Sequence, residues 1–165
     1  MPPFPNSKPS SDQVPPVDYV IDTSALVAFS GIQRLDLLRA CCGRVGVPTA
    51  VRVEVIDQGI GWVKAAEAQN EILRGEWIRT LPVTDSEMLY NFRKRLGAGE
   101  AECLELGRFF GITVIVDDQR ARKEGERLGV QIIGSLGILA KSKRIGLIDL
   151  ASPLIEKIRQ NGIFL

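Results

Sequence analysis

From Val17 onward the chain alternates short β-branched runs with longer stretches whose apolar residues recur at helical spacing. The runs are VDYVI (17–21), RVGVP (44–48), WIRTL (77–81), ITVIV (112–116) and VQIIG (130–134). Only the first and fourth stay strongly apolar, which suits central strands covered on both faces. Helical spacing covers 24–30, 35–41, 49–57, 63–74, 85–95, 99–110 and 120–128, and two further helices follow over 134–143 and 147–160. Thr49 after Pro48, Thr84 or Asp85, and Ser135 read as helix starts, where a side-chain oxygen accepts from a free N–H. Gly43, Gly75, Gly97, Gly111 and Gly129 read as helix stops, since a left-handed cap favours glycine. Strand–helix alternation of this kind means parallel strands joined by right-handed crossovers. The expected fold is therefore α/β, a three-layer sandwich with a central parallel sheet of about five strands.

Residues 1–16 break this pattern. MPPFPNSKPSSDQVPP holds six of the nine prolines and almost no aliphatic side chains, so it cannot bury enough surface to offset its ordering entropy. It is expected to be a disordered Pro/Ser-rich tail, with 17–165 forming one domain. The next methionine is Met88, so a start at a non-methionine codon near Val14 or Val17 is an open alternative for this segment. An apolar fraction of 45% and a charged fraction of 25% are those of an ordinary globular domain. A net charge of +1 gives no global field for a polyanion, so any nucleic-acid contact must be local. Cys41, Cys42 and Cys103 are odd in number and lack metal-ligand spacing; they read as small buried residues in a reducing compartment. No apolar run approaches the roughly 20 residues of a membrane span, and no signal-peptide order opens the chain. A cytoplasmic protein without membrane contact is the expectation.

Candidate chemistry enters with the carboxylates. Asp22 follows the first run, Glu54 lies in the second turn after Pro48, Glu100 follows Gly97-Ala98-Gly99, and Asp117 and Asp118 follow ITVIV. Each has a plain structural explanation: helix N-caps for Asp22 and Asp118, the helix dipole for Glu100, a solvated face for Glu54. Capping does not explain a second aspartate beside Asp118. In an open parallel sheet all these positions project to the rim at the strands' C-terminal ends, where sites form at the reversal of strand order. Two carboxylates ~5 Å apart at an effective dielectric of ~20 repel by about 3 kcal/mol. Clustered acids therefore either protonate or gather around a divalent cation. With no histidine and no cysteine pair, hard-cation binding through oxygen ligands is the chemistry this set supports best.

The segments DTSAL (22–26), PTAVRVEV (48–55), GAGEAECLELG (97–107) and VDDQRAR (116–122), in this order, resemble the PIN domain. The GEAE and DDQRAR portions resemble a prokaryotic PIN subfamily linked to toxin–antitoxin pairs, and the likeness runs from about Val17 to Leu165. The resemblance implies that the first and fourth strands lie side by side, and that the protein hydrolyses RNA phosphodiesters with Mg²⁺ or Mn²⁺. It implies catalytic, metal-binding roles for Asp22, Glu54, Glu100 and Asp118, with Asp117 a neighbouring ligand and with Thr23 and Ser24 as supporting hydroxyls. Many PIN domains carry Asp at the third position, so Glu100 departs from that form and bears on metal geometry. Glu102, about 200° around the helix from Glu100, is expected on the surface. Lacking histidine, the chain has no ready general base near neutral pH, which leaves that role to the cation.

Arg93, Lys94, Arg95, Arg120, Arg122 and Lys123 are candidates for holding the backbone of single-stranded or structured RNA, a solvated helix face being the plain alternative. An acidic cluster on an open rim has no deep pocket to read a base, so selectivity is expected from backbone shape and unpaired segments. The lightly charged stretches 24–30 and 134–140 suit an antitoxin or homodimer surface and equally suit a core. Gly97-Ala98-Gly99 follows a helical run, which removes the dinucleotide-fingerprint reading. A phosphoacceptor receiver domain would carry its paired acids after the first strand, and here the pair follows the fourth. The remaining alternative is a catalytically silent PIN-fold module that binds RNA or a protein partner.

Overall fold

The structure, a computed structural model, describes residues 15–59 and 62–165. Residues 1–14 of the expected tail lie outside the described residues. Each of the five β-branched runs contains a strand: β1 (Tyr19–Ile21), β2 (Val45–Pro48), β3 (Ile78–Leu81), β4 (Thr113–Ile115) and β5 (Ile132–Ile133). They form one all-parallel sheet in the order β3-β2-β1-β4-β5. Val20 and Ile21 of β1 and Val114 and Ile115 of β4 are fully buried at its centre, as their apolar runs require.

The helices are α1 (Thr23–Gly31), α2 (Leu35–Cys42), α3 (Thr49–Arg52), α4 (Ala66–Arg74), α5 (Glu87–Arg93), α6 (Ala98–Phe110), α7 (Gln119–Arg127), α8 (Ser135–Arg144) and α9 (Ser152–Gln160). The chain steps from β1 through β2 to β3 one way across the sheet, then returns past β1 to β4 and β5. Right-handed crossovers then put α1, α2 and α4 on one face and α5, α6 and α7 on the other. The packing agrees: α1 meets α2 and α4, while α6 meets α5 and α7 and lies across β1, β2 and β4. This is the expected three-layer α/β sandwich. Gly46 in β2 permits the close layer, since a Cβ there would stand 2.4 Å from Leu81 Cδ1.

Several helix ends differ from expectation. Gly43, Gly75, Gly111 and Gly129 take positive φ, but Gly97 (φ −61°) opens α6 as its N-cap residue and stops nothing. Ser86, not Thr84 or Asp85, caps α5 by accepting from Leu89 N at 2.9 Å. Thr49 is the first residue of α3 and so not its cap, whereas Ser135 opens α8 as expected. The helix expected over 49–57 changes at Val53 into a π-helical segment, Val53–Gln58. Such π turns are rare and mostly short. Gln69 braces this one, its amide donating to the Val55 and Gly59 carbonyls at 2.9 and 2.7 Å.

All three cysteines are unpaired and buried, and burial pushes the Cys42 thiol up to about 12. Among the described residues no helix is long and apolar enough to cross a membrane.

Candidate metal centre

Strand order reverses between β1 and β4, whose residues pair Ile21 with Ile115. The two strands therefore end at one level: Asp22 N donates to Ile115 O at 3.1 Å, and the chain beyond β4 runs directly into Asp117 and Asp118. Asp22 caps α1, its Oδ1 accepting from Ala25 N at 2.9 Å, and is only 2% exposed. Asp118 caps α7, its Oδ1 accepting from Arg120 N and Ala121 N, both at 2.9 Å. Both plain explanations are thus correct, and neither uses the second oxygen of the carboxylate. Glu100 bonds back to Gly97 N through Oε2 at 3.0 Å, and the Thr23 hydroxyl donates to Glu54 Oε2. Among the described residues Asp22, Glu54, Glu100 and Asp118 each have one oxygen tied to the protein and one without a hydrogen-bond partner. Asp117 differs, with one oxygen accepting from Ser135 N at 2.7 Å and the other from Ser135 Oγ at 2.5 Å.

The electrostatics place these acids in one neighbourhood. Burial raises the Asp22 carboxyl to about 8 against the Ala25 hydrogen bond, and the charges of Asp117, Glu100 and Glu54 add to the rise. Glu100 is raised by burial, held back by Gly97 N–H, and raised further by Asp118 and Glu54. The buried Cys103 thiol, pushed up first by burial, responds to Asp22, Glu102, Glu54 and Glu100 together. Among the described residues no salt bridge reaches Asp22, Glu54, Glu100, Asp117 or Asp118. Nor, among them, do three such side chains stand already gathered in a metal-ready group. The acids are electrostatic neighbours.

A hard divalent cation fits this donor set, which is all oxygen and has no salt-bridge partner among the described residues. The backbone brings α6 close to one of these carboxylates. A Cβ at Gly99 would stand 3.2 and 3.4 Å from the two Glu54 oxygens and 3.0 Å from Val51 Cγ2, so glycine lets the first turn of α6 approach that carboxylate.

Glu102 corrects the expectation of a surface side chain. It is 6% exposed, accepts from Ala50 N at 2.8 Å and pairs with Arg93 at 3.0 Å. Its carboxylate does for α3 what Pro48, with no side-chain donor or acceptor, cannot, and α3 leads into the segment that carries Glu54. Ser135, buried and bonded to Asp117, is the other residue that the sequence did not assign to the site. No local pattern marks either, because both partners are distant in the chain.

The basic candidates separate. Arg93 is occupied by Asp85 and Glu102, Arg95 pairs with Glu124, and Lys94 lies over the Tyr90 ring at 4.2 Å. Arg122 donates to Val116 O at 3.2 Å. Arg120 and Lys123 have no ion pair among the described residues. Ser24 is exposed on the first turn of α1.

The sheet is a parallel α/β sheet whose switch point falls between β1 and β4. The chain belongs to the PIN-domain family: a family model described as a PIN domain matches residues 18–165. PIN domains are generally nucleases and typically bind divalent metals. No curated protein matches the chain closely enough to count as a relative.

Proposed function

We propose that this chain is a Mg²⁺- or Mn²⁺-dependent endoribonuclease and the toxin of a toxin–antitoxin pair. The observation that supports it most is the set of acids at the β1/β4 switch point, whose charges act on Asp22 and Glu100 and which have no salt-bridge partner among the described residues. Asp22, Glu54, Glu100 and Asp118 would hold the cation, and Asp117 would add charge from beside them. A bound divalent cation supplies activation of a water nucleophile and neutralisation of the charge growing on the phosphate.

The chain's own residues do the positioning. Ala25 N–H orients Asp22, Thr23 orients Glu54, Gly97 N–H orients Glu100, and the first turn of α7 orients Asp118. Each is a ligand held by one hydrogen-bonded oxygen, which lowers the ordering cost of binding. Arg120 and Lys123, on the helix that Asp118 caps, are the cations best placed to meet the RNA backbone.

The test is cleavage of a labelled RNA with flanking stems and an open loop, in Mg²⁺ or Mn²⁺ and again in EDTA. Cutting confined to the metal-containing reactions is expected, and cutting that survives EDTA would overturn the assignment. The toxin role rests on the GEAE and DDQRAR segments. It predicts a small adjacent reading frame encoding an antitoxin, and its absence from the locus would remove that role while leaving the nuclease.

A further inference from the structure

A cavity of about 350 Å³ lies against Asp117, between the end of β5 and the first turns of α7 and α8. It is half open to solvent, in keeping with the expectation of a rim without a deep pocket. Ile132, Ile133, Leu136 and Leu165 make its walls apolar, while Gln119 and Arg122 supply donors. Its volume is at the lower end of the ~300–1,000 Å³ range of small-ligand sites.

Two features show that the polar side of this cavity is built. Arg122 Nη1 is anchored on Val116 O at 3.2 Å, and its other nitrogens have no hydrogen-bond partner among the described residues. At Gly134 a Cβ would stand 2.6 Å from Arg122 Nη1 and 2.9 Å from Asp117 Oδ1. Glycine there leaves space for the guanidinium and the Asp117 carboxylate to share one wall. The cavity thus borders the acidic site through Asp117 itself.

The chemistry of the lining selects the ligand. Four apolar side chains would strip water from a phosphate without replacing its hydrogen bonds. A flat base, by contrast, gains from apolar contact on its faces and from donors at its edge. The unpaired edge of an arginine fork matches two adjacent acceptors, and O6 and N7 of guanine present that pair. We propose that this cavity is a subsite for one unpaired guanine of the strand whose phosphodiester lies at the acidic rim. The inference rests on the nuclease reading and names a base that its substrate carries.

The test separates the two. The full chain, ¹⁵N-labelled and in EDTA, is titrated with the 5′-monophosphates of guanosine, adenosine, cytidine and uridine. Guanosine monophosphate is expected to shift the amides of Gly134 and Gly137 and the Arg122 Nε signal, at concentrations about tenfold below the others. Leu136→Trp, at a position 44% exposed, fills the cavity and is expected to abolish these shifts. Should that variant lose its native spectrum, Arg122→Met is run in the same titration and is expected to erase the guanine preference. Equal responses to all four nucleotides, shifts mapping elsewhere, or guanine binding untouched by both variants would overturn the subsite. Guanine binding without any metal-dependent cleavage would sustain the subsite and sink the nuclease; cleavage with no guanine at the mapped cuts would do the reverse.

Discussion

Ser135 grips both oxygens of Asp117, its backbone N–H at 2.7 Å and its hydroxyl at 2.5 Å. The pair ties the end of β4 to the start of α8 and fixes a carboxylate whose charge reaches Asp22. Asp117 acts on the proposed ligands from beside them, and outer-shell groups of this kind are typically worth 10–100-fold in metal affinity. Ser135→Ala is therefore expected to weaken Mg²⁺ binding by about tenfold and to cost about 1.5–3 kcal/mol of stability, the usual worth of a bond to a charged group. Calorimetric Mg²⁺ titration beside urea unfolding checks both. Unchanged Mg²⁺ affinity in a destabilised variant would reduce Ser135 to a purely structural residue.

Asp22 sets a pH dependence. Its carboxyl titrates at about 8 in the fold against an ordinary 3.8, because burial disfavours the charge. The folded state thus holds a proton that the unfolded chain releases, and this stabilisation is complete below pH ~4 and gone once pH passes ~8. Between those limits the metal-free protein should lose stability with rising pH, at up to about 1.4 kcal/mol per unit from this group. Thermal melts in EDTA from pH 5 to 8 read this directly. Asp22→Asn should flatten the slope and abolish cleavage, while Mg²⁺ should restore wild-type stability at pH 8. A wild-type slope retained in Asp22→Asn would place the proton elsewhere. Asp22→Ala, which also removes the α1 cap, should cost about 1 kcal/mol more than the asparagine variant.

Glu102 reaches Ala50 N at 2.8 Å and Arg93 at 3.0 Å from a buried position. Glu102→Ala leaves a backbone donor unpaired at the start of α3, which costs about 1–3 kcal/mol. Glu102→Gln keeps an acceptor for Ala50 and should recover much of that loss. Because α3 runs into the π-helical segment carrying Glu54, the alanine variant should also need more Mg²⁺ for half-maximal cleavage. Equal stability in the two variants would show that the charge, and not the acceptor, is what the site uses.

The sequence by itself determined the sheet and its order of service: five β-branched runs, helices between them, and acids where strands hand over to helices. These are local properties, since the two-residue period of a strand and the 3.6-residue period of a helix are written in neighbouring positions. The family pattern added the adjacency of β1 and β4, and the register of Ile21 against Ile115 agrees with it. What only the tertiary structure decided is which distant groups meet. A helical wheel gave Glu102 a direction away from Glu100, but not the unpaired N-terminus of α3 lying in that direction. Ser135 reads as a helix start on its own and becomes the holder of Asp117 only when β5 is laid beside β4. The π turn at Val53–Gln58 and the cavity bordered by Arg122 and Leu136 likewise arise between elements. Side-chain direction is a property of one element, whereas its partner, its burial and so its charge state belong to the packing of several.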